Sequence, residues 1–494
     1  MKETVHFAAI DLGAESGRVI LGTLAEERIC LDEIHRFANG PVRLPDGLHW
    51  DVLHIWSEIK HGIATLAKSG KQLAGIGLDT WGVDFALLDA QGILLGNPYH
   101  YRDARTNGML EAAFQRVPRQ EIFDQTGIQF MQINTLYQLL SMVLNNSAQL
   151  DAARTFLTIP DLFNYWLSGR MVCEFTNATT TQCYSPRQDG WALGLLERLH
   201  IPVDIFPQIV PPGTLLGGLQ PYLCEELGVD SVPVIAPACH DTGSAVAAVP
   251  AEHSHIAWIS SGTWSVMGTE ASEPGISERT LKYNFTNEGG VGGKWRLSKN
   301  VMGLWIVQEC RRTWARQGEE LSYDQLTDLA ERARPLQAVI DPDHMDFLMP
   351  GNMPERIRAY CERTAQPVLR EKGAVVRCVL ESIALKYRWV LERLEEIVGY
   401  RLDPLHIIGG GTKNRLLNQL VADATGRKVV TGPVEATAIG NCLMQAVAVG
   451  SLPSIQAGRD MVRRSFAMDV YLPRRSQDQE WEKCYRRLLD LLQE

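Results

Sequence analysis

The sequence predicts an α/β chain made by duplication. Three observations carry this. The chain opens in the order strand, strand, strand, helix, strand. A strand–turn–strand over residues 255–268 repeats the one over 5–24, with Gly262 standing where Gly13 stands. Late in the chain, short apolar strands again alternate with long helical periods. A length of 494 residues suits several domains. The boundary is expected near Pro250, giving an N-terminal domain over 1–246 and a C-terminal domain over 247–494.

Each element follows from its pattern. Val5–Ile10 reads as a buried strand, Asp11–Gly17 as a polar turn, and Arg18–Leu24 as the returning strand. A third strand covers Ile29–Phe37. From Asp51 a helix is expected with Leu53, Trp56, Ile59, Ile63 and Leu66 on its apolar face, stopping near Gly70. Ala74–Leu78 and Phe85–Leu88 are short strands. Residues 108–228 turn mostly helical, with helices at Thr135–Leu144 and Asp161–Leu167 and a Pro/Gly loop at Ile209–Gly213. The order then restarts: strand Val232–Ala236, a helix entry near Asp241, and strands His255–Ile259 and Trp264–Gly268. Val375–Val398 is a long helix with an apolar stripe at 375, 379, 383, 387, 390, 394 and 397. Strand Leu405–Ile408, turn Gly409–Thr412, helix Asn414–Ala424, strand Lys428–Val430 and helix Ala436–Val449 complete the pattern.

Composition narrows the function. The formal net charge is -10, without the basic footprint of a nucleic-acid binder. Nowhere do apolar residues run long enough for a membrane helix, and Met1-Lys2-Glu3-Thr4 shows no secretory leader. The ten cysteines lack C-x-x-C spacing. They read as free, mostly buried thiols of a reducing compartment, with Cys361 and Cys378 candidates for proximity. A cytoplasmic protein is therefore expected, with no nucleic-acid or membrane partner.

Several segments have the chemistry of a phosphate and sugar site. In Asp11-Leu12-Gly13-Ala14-Glu15-Ser16-Gly17-Arg18, small residues let backbone N–H groups approach an anion. Asp11 is placed to serve Mg²⁺ through water. Taken alone, the segment is also an ordinary hairpin turn. Ser260-Ser261-Gly262-Thr263 forms a second turn rich in hydroxyls. Gly409-Gly410-Gly411 follows a strand without the spacing of a dinucleotide fingerprint or a P-loop. In Cys239-His240-Asp241-Thr242, Asp241 is either a simple N-cap or a general base beside a hydroxyl. An ordinary carboxylate is already ionised at neutral pH, so that second role needs no tuning. Asp79-Thr80-Trp81-Gly82-Val83-Asp84-Phe85 and Tyr101-Arg102-Asp103-Ala104-Arg105-Thr106 mix aromatics with polar groups, as a sugar pocket does. Arg102, Asp103 and Arg105 read equally well as a surface ion-pair network.

Together and in this order, these segments resemble the FGGY carbohydrate kinases over essentially the whole chain. The resemblance runs through Asp11-Leu12-Gly13, Tyr101–Arg105, His240-Asp241-Thr242, Ser261-Gly262-Thr263 and Gly409-Gly410-Gly411. Thr176–Gln182, Lys299–Trp305 and Gly432–Ala436 are similar to segments of the members that act on L-rhamnulose. The resemblance implies two duplicated ribonuclease H-like (actin-like ATPase) domains with an interdomain cleft. It implies ATP- and Mg²⁺-dependent phosphorylation of the 1-hydroxyl of L-rhamnulose, in L-rhamnose catabolism. By motif position, Asp241 is the proton acceptor, and Gly82, His240, Asp241, Thr242 and Asn300 contact the sugar. Ala14, Glu15, Ser16, Gly17, Arg18, Thr263, Gln308 and Gly410 contact ATP, and Asp11 serves the metal. Two positions depart from the wider family: Glu15 replaces a small hydroxyl residue, which restricts its ATP contact to backbone, and Tyr101 replaces Trp. Two other readings stay open: a kinase for L-fuculose, L-ribulose or D-xylulose, and a nucleotide-switched regulator on the same fold.

Overall fold

The computed structural model describes residues 4–492. The expectation drawn from Met1–Glu3 lies outside them. Three strands come first: β1 (Val5–Leu12), β2 (Ser16–Ala25) and β3 (Arg28–Ala38), paired antiparallel in sequence order. β1 is buried from Phe7 to Leu12: Phe7–Ile10 is an unbroken apolar run, and burial continues through Asp11. Helix α1 (Val52–Ala67) follows, its N-terminus capped by the Asp51 carboxylate on His54 N–H. It leads to β4 (Leu73–Thr80), parallel to β1. Strands β5 (Thr214–Gly218) and β6 (Pro233–Ala236) extend the sheet on the far side of β4. The strand order is β5-β6-β4-β1-β2-β3. Helix α2 (Asp241–Ala247) starts shortly after β6 ends.

The α1 face differs from the expectation. Its buried residues are Val52, Ile55, Ile59, Gly62, Ile63 and Leu66, whereas Leu53 is 61% exposed. Val52 and Ile55 set the phase. Gly62 lets the helix approach β2, since a Cβ there would lie 2.3 Å from the Val19 side chain. The helix at Thr135–Leu144 forms as expected, and the one expected at Asp161–Leu167 runs Ile159–Ser168, with Pro160 in its first turn. Ile209–Val210, expected in a loop, instead pairs parallel with Cys173–Glu174. All ten cysteines are free thiols, and Cys361 and Cys378 are hydrogen-bonded neighbours.

Packing divides the chain into two compact units. One holds Met1–Pro250, Glu270–Leu297 and Glu435–Ser465; the other holds Ala251–Thr269, Ser298–Val434 and Phe466–Glu494. β7 (Ala257–Ser261) and β8 (Trp264–Ala271), which lie in the second unit as far as Thr269, make an antiparallel hairpin. Long helix α3 (Lys372–Val398) leads to β9 (Leu405–Ile408), parallel to β7. Helix α4 (Arg415–Thr425), parallel strand β10 (Val429–Thr431) and antiparallel edge strand β11 (Asp469–Tyr471) follow. A hairpin with a parallel third strand thus recurs in both units. This is a two-domain α/β fold.

Helix α3 carries more than an apolar stripe. It is buried almost all round from Val375 to Leu391, including Glu381 and Lys386. Arg377 pairs with Glu381 at 2.8 Å, and Lys386 reaches Asp341 and Asp343 at 2.9 and 3.1 Å. Helix α5 (Ala436–Ala448) follows β10 in sequence but belongs to the first unit, where it crosses α2. Among the described residues no helix is long and apolar enough to cross a membrane.

Candidate active site

In the first unit, the β1–β2 hairpin brings the first expected site residues together. Asp11 pairs with Arg18 and Leu12 with Gly17, leaving Gly13-Ala14-Glu15 as a three-residue loop. Gly13 N–H closes it on the Ser16 carbonyl at 2.9 Å. The Glu15 side chain is exposed, and its carbonyl accepts from Asn39 N–H. Arg18 bridges the carboxylates of Asp11 and Glu435. Burial would lower the Arg18 guanidinium; the two carboxylates outweigh it and raise it. Burial raises the Asp11 carboxyl, with Arg18 opposing.

The register between β1 and β4 sets Asp79 beside Asp11. Asp79 is fully buried; its Oδ2 accepts from Asn441 Nδ2 at 2.6 Å. Its Oδ1 has no hydrogen-bond partner among the described residues. Burial, and then Asp11, push the Asp79 carboxyl well up. An orphaned buried carboxylate oxygen beside a second carboxylate fits a hard divalent cation, since Mg²⁺ takes one or two carboxylates and fills its other positions with water and phosphate.

The second group surrounds Asp241, the first residue of α2. Its Oδ1 accepts from the Thr242 N–H and, at 3.1 Å, from Thr242 Oγ1. Its Oδ2 accepts no hydrogen bond among the described residues, and the side chain is about one-third exposed. The approach to Asp241 is held from below by a buried acid. Glu174 accepts from Cys239 N–H at 2.9 Å and from the Thr176 hydroxyl, and that hydroxyl accepts from His240 N–H at 3.1 Å. Burial pushes the Glu174 carboxyl up to about 7. On the other side, Thr80 N–H bonds the Cys239 carbonyl at 2.9 Å.

His240 meets a charged pair. Its Nδ1 lies 2.9 Å from Arg296 Nη2 and 3.4 Å from Glu288 Oε2, and its Nε2 lies 3.5 Å from Asp241 Oδ1. Arg296 and Glu288 are themselves 3.1 Å apart. Burial alone would raise the Glu288 carboxyl, and the charge of the buried Arg296 guanidinium opposes it.

Gly82 sits between this group and the aromatic segment. A Cβ at Gly82 would lie 2.9 Å from Thr180 Oγ1, the hydroxyl that receives Val83 N–H at 3.1 Å. Val83 takes φ 70, an unusual value for a β-branched residue. Its carbonyl accepts from Thr135 Oγ1 and, at 3.2 Å, from Gln138 Nε2. Neighbouring Asp84 accepts from the indoles of Trp50 and Trp81 at 2.6 and 3.0 Å and from Gln138 at 2.9 Å. Trp50, Trp81, His100 and Tyr101 form one ring cluster in which His100 and Tyr101 are stacked and the other pairs tilted.

The surface ion-pair reading of Asp103 and Arg105 does not hold. Asp103 is buried, caps a short 3₁₀ turn at Arg105 N–H and accepts from Leu48 N–H. Arg105 donates to Gln138 Oε1 at 2.7 Å and lies 4.0 Å over the Tyr99 ring.

In the second unit, Gln308 Nε2 donates to Thr263 Oγ1 at 3.2 Å. Both are expected nucleotide contacts. The three glycines after β9 divide their duties. Gly409 has φ 85 and would place a Cβ 3.0 Å from the Ser261 carbonyl; at Gly411 it would lie 2.0 Å from Ser261 Oγ. Gly410, the expected contact, has nothing within 4 Å of such an atom. Asn300 lies on the strand Trp295–Met302 and is partly exposed.

Sequence reasoning did not single out Glu174, Glu288, Arg296 or Asp79 as individual site residues, and it quoted Glu435 only within a similar segment. One signal was available for Arg296: an isolated charge between Trp295 and Leu297 in a strand.

Comparison with known proteins places the chain. Residues 7–248 match the profile described as "FGGY family of carbohydrate kinases, N-terminal domain", and residues 257–449 match its C-terminal counterpart. A rhamnulokinase of Bacteroides thetaiotaomicron is 43% identical, covering 97% of this chain and 98% of that protein. One from Oceanobacillus iheyensis is 42% identical over 94% and 97%. Among solved structures, a ligand-bound xylulose kinase from Lactobacillus acidophilus superposes with a TM-score of 0.82 at 18% identity, covering 99% of this chain and 98% of that one. Plasmodium falciparum glycerol kinase with ADP gives 0.79 at 17%, covering 98% of each. These last two speak for the fold. Matched in both halves, and alike over nearly its whole length, the chain belongs to the FGGY family of carbohydrate kinases.

Proposed function

We propose that this enzyme transfers the γ-phosphoryl group of ATP to the 1-hydroxyl of L-rhamnulose, giving L-rhamnulose 1-phosphate and ADP in L-rhamnose catabolism. The observation that carries this reading is the near-full-length likeness to rhamnulokinases, 43% and 42% identical. Asp241 is the proton acceptor. As the sugar oxygen forms its bond to the γ-phosphorus, its proton passes to Oδ2 and the bond to the β-phosphate oxygen breaks. Thr242 holds the other carboxylate oxygen, so the base presents a single lone-pair face. Gly82, His240, Thr242 and Asn300 contact the sugar. Backbone of Ala14–Gly17 with Arg18, and Thr263, Gln308 and Gly410, contact ATP. Asp11, with Asp79 beside it, would hold Mg²⁺, which neutralises phosphate charge when bound.

We further propose that 1–246 and 247–494 are the halves of the duplication. The first carries the sugar contacts other than Asn300, the phosphate turn and the base, and the second carries Asn300 and the nucleotide contacts Thr263, Gln308 and Gly410. The free thiols fit a cytoplasmic enzyme.

The test is ADP release from Mg-ATP with L-rhamnulose, L-fuculose, L-ribulose, D-xylulose and glycerol in turn. The expected result is a clear kcat/KM preference for L-rhamnulose. Preference for another ketose overturns the substrate, and sugar-independent release overturns the transfer.

A further inference from the structure

We propose that Arg296 is a positioning residue for the base: its buried guanidinium fixes the tautomer of His240, and His240 in turn steadies Asp241. The proposal rests on the reading of Asp241 as proton acceptor.

A guanidinium has N–H donors and no acceptor. Arg296 Nη2 lies 2.9 Å from His240 Nδ1, so Nδ1 must be the accepting nitrogen. The competing contact, Nδ1 to Glu288, is longer at 3.4 Å and would set two donors against each other across the shorter gap. The ring proton therefore sits on Nε2. That nitrogen faces Asp241 Oδ1 at 3.5 Å. Oδ1 already accepts from the Thr242 N–H and hydroxyl. A third N–H dipole keeps this oxygen turned inward and Oδ2 available. The opposite tautomer would set a ring lone pair against the carboxylate and turn it.

Arg296 is itself held for this task. Nε donates to the Gly289 carbonyl at 2.8 Å, and Glu288 lies 3.1 Å from Nη2. The residue has no solvent exposure, and its Nη1 has no hydrogen-bond partner among the described residues. A fully desolvated, incompletely satisfied cation is a poor way to gain stability, because a well-packed apolar pair of similar volume usually serves as well. Its position on the Nδ1 side of His240 supplies a reason for it. Tautomer control by the hydrogen bond on the far ring nitrogen is a general property of histidine.

The experiment is ¹⁵N NMR of the full-length protein labelled at histidine, with the His240 signals assigned by their loss in His240→Gln. The wild type is expected to show the Nε2–H tautomer; an Nδ1–H signal overturns the proposal. Arg296→Met/Glu288→Gln removes both buried charges and so avoids leaving one unpaired. It is expected to shift the tautomer and to lower kcat about 10–100-fold, the scale seen when groups that orient a ligand histidine are removed, with KM for ATP unchanged. Arg296→Lys, which keeps a donor, is expected to recover part of the loss. An unaltered spectrum and wild-type kcat in the double variant would overturn the proposal. If the variants do not fold, the wild-type spectrum still decides. A wild-type Nε2–H signal with no phosphoryl transfer to any ketose would sink the functional reading and leave the tautomer assignment standing.

Discussion

Gly440 presses against Ser244. A Cβ built on Gly440 would lie 1.7 Å from the Ser244 carbonyl oxygen, so α5 and α2 cross with backbone against backbone. That contact sets the height of the helix that presents Asp241. Gly440→Ala must drive the helices apart or distort α2. Overpacking of this kind costs about 1–3 kcal/mol and here meets rigid backbone. Urea unfolding is expected to show a lower midpoint, and steady-state assays a lower kcat. An unchanged midpoint would mean that the crossing is looser than described.

The glycine triple after β9 should respond unequally. At Gly411 a methyl would collide with Ser261 at 2.0 Å, while at Gly410 it would meet nothing within 4 Å. Gly411→Ala is expected to cost roughly 1–3 kcal/mol of stability; Gly410→Ala should leave the melting temperature unmoved and raise KM for ATP. Equal losses in thermal melts of the two variants would contradict this division of roles.

Buried acids set a pH dependence of stability. Burial pushes Asp161 up to about 8 and Glu381 up to about 7. Each therefore binds its proton more tightly folded than unfolded. The stability this supplies is fully present below the unfolded carboxylate range near pH 4 and is lost as pH rises toward 7 and 8. Melting temperature should fall between pH 5 and 8.5. Asp161 accepts from Glu174 N–H at 3.0 Å and meets the Thr158 hydroxyl, so Asp161→Asn can keep both contacts without a charge. This variant should flatten the slope and melt several degrees higher at pH 8.5. A slope identical to wild type would show that Asp161 does not titrate in that window.

Much of the framework could be read from the sequence because it is local. The β1–β2 turn, the Thr135–Leu144 helix and the entry to α2 each follow from adjacent apolar and turn residues. The candidate site residues on those turns could be located in the fold for the same reason. The phase of α1 was not, since Leu53 and Val52 are equally apolar and only packing against the sheet chooses between them. Glu174 and Arg296 were missed on physical grounds. Each acts through residues distant in sequence, Cys239 and His240, and a charge inside an apolar stretch does not reveal its partner until the chain is folded. Asp103 and Arg105 show the reverse error: a dense polar run that looks like surface is spent on capping and on holding Gln138.

The central claim is that Asp241 accepts the proton. The measurement that bears on it most directly is turnover of Asp241→Asn with L-rhamnulose, beside the affinity of the same variant for ATP by calorimetry. The expected result is a kcat lower by roughly 10²–10⁴-fold, the usual scale for a general base, with ATP binding nearly intact. Full activity in Asp241→Asn would contradict it.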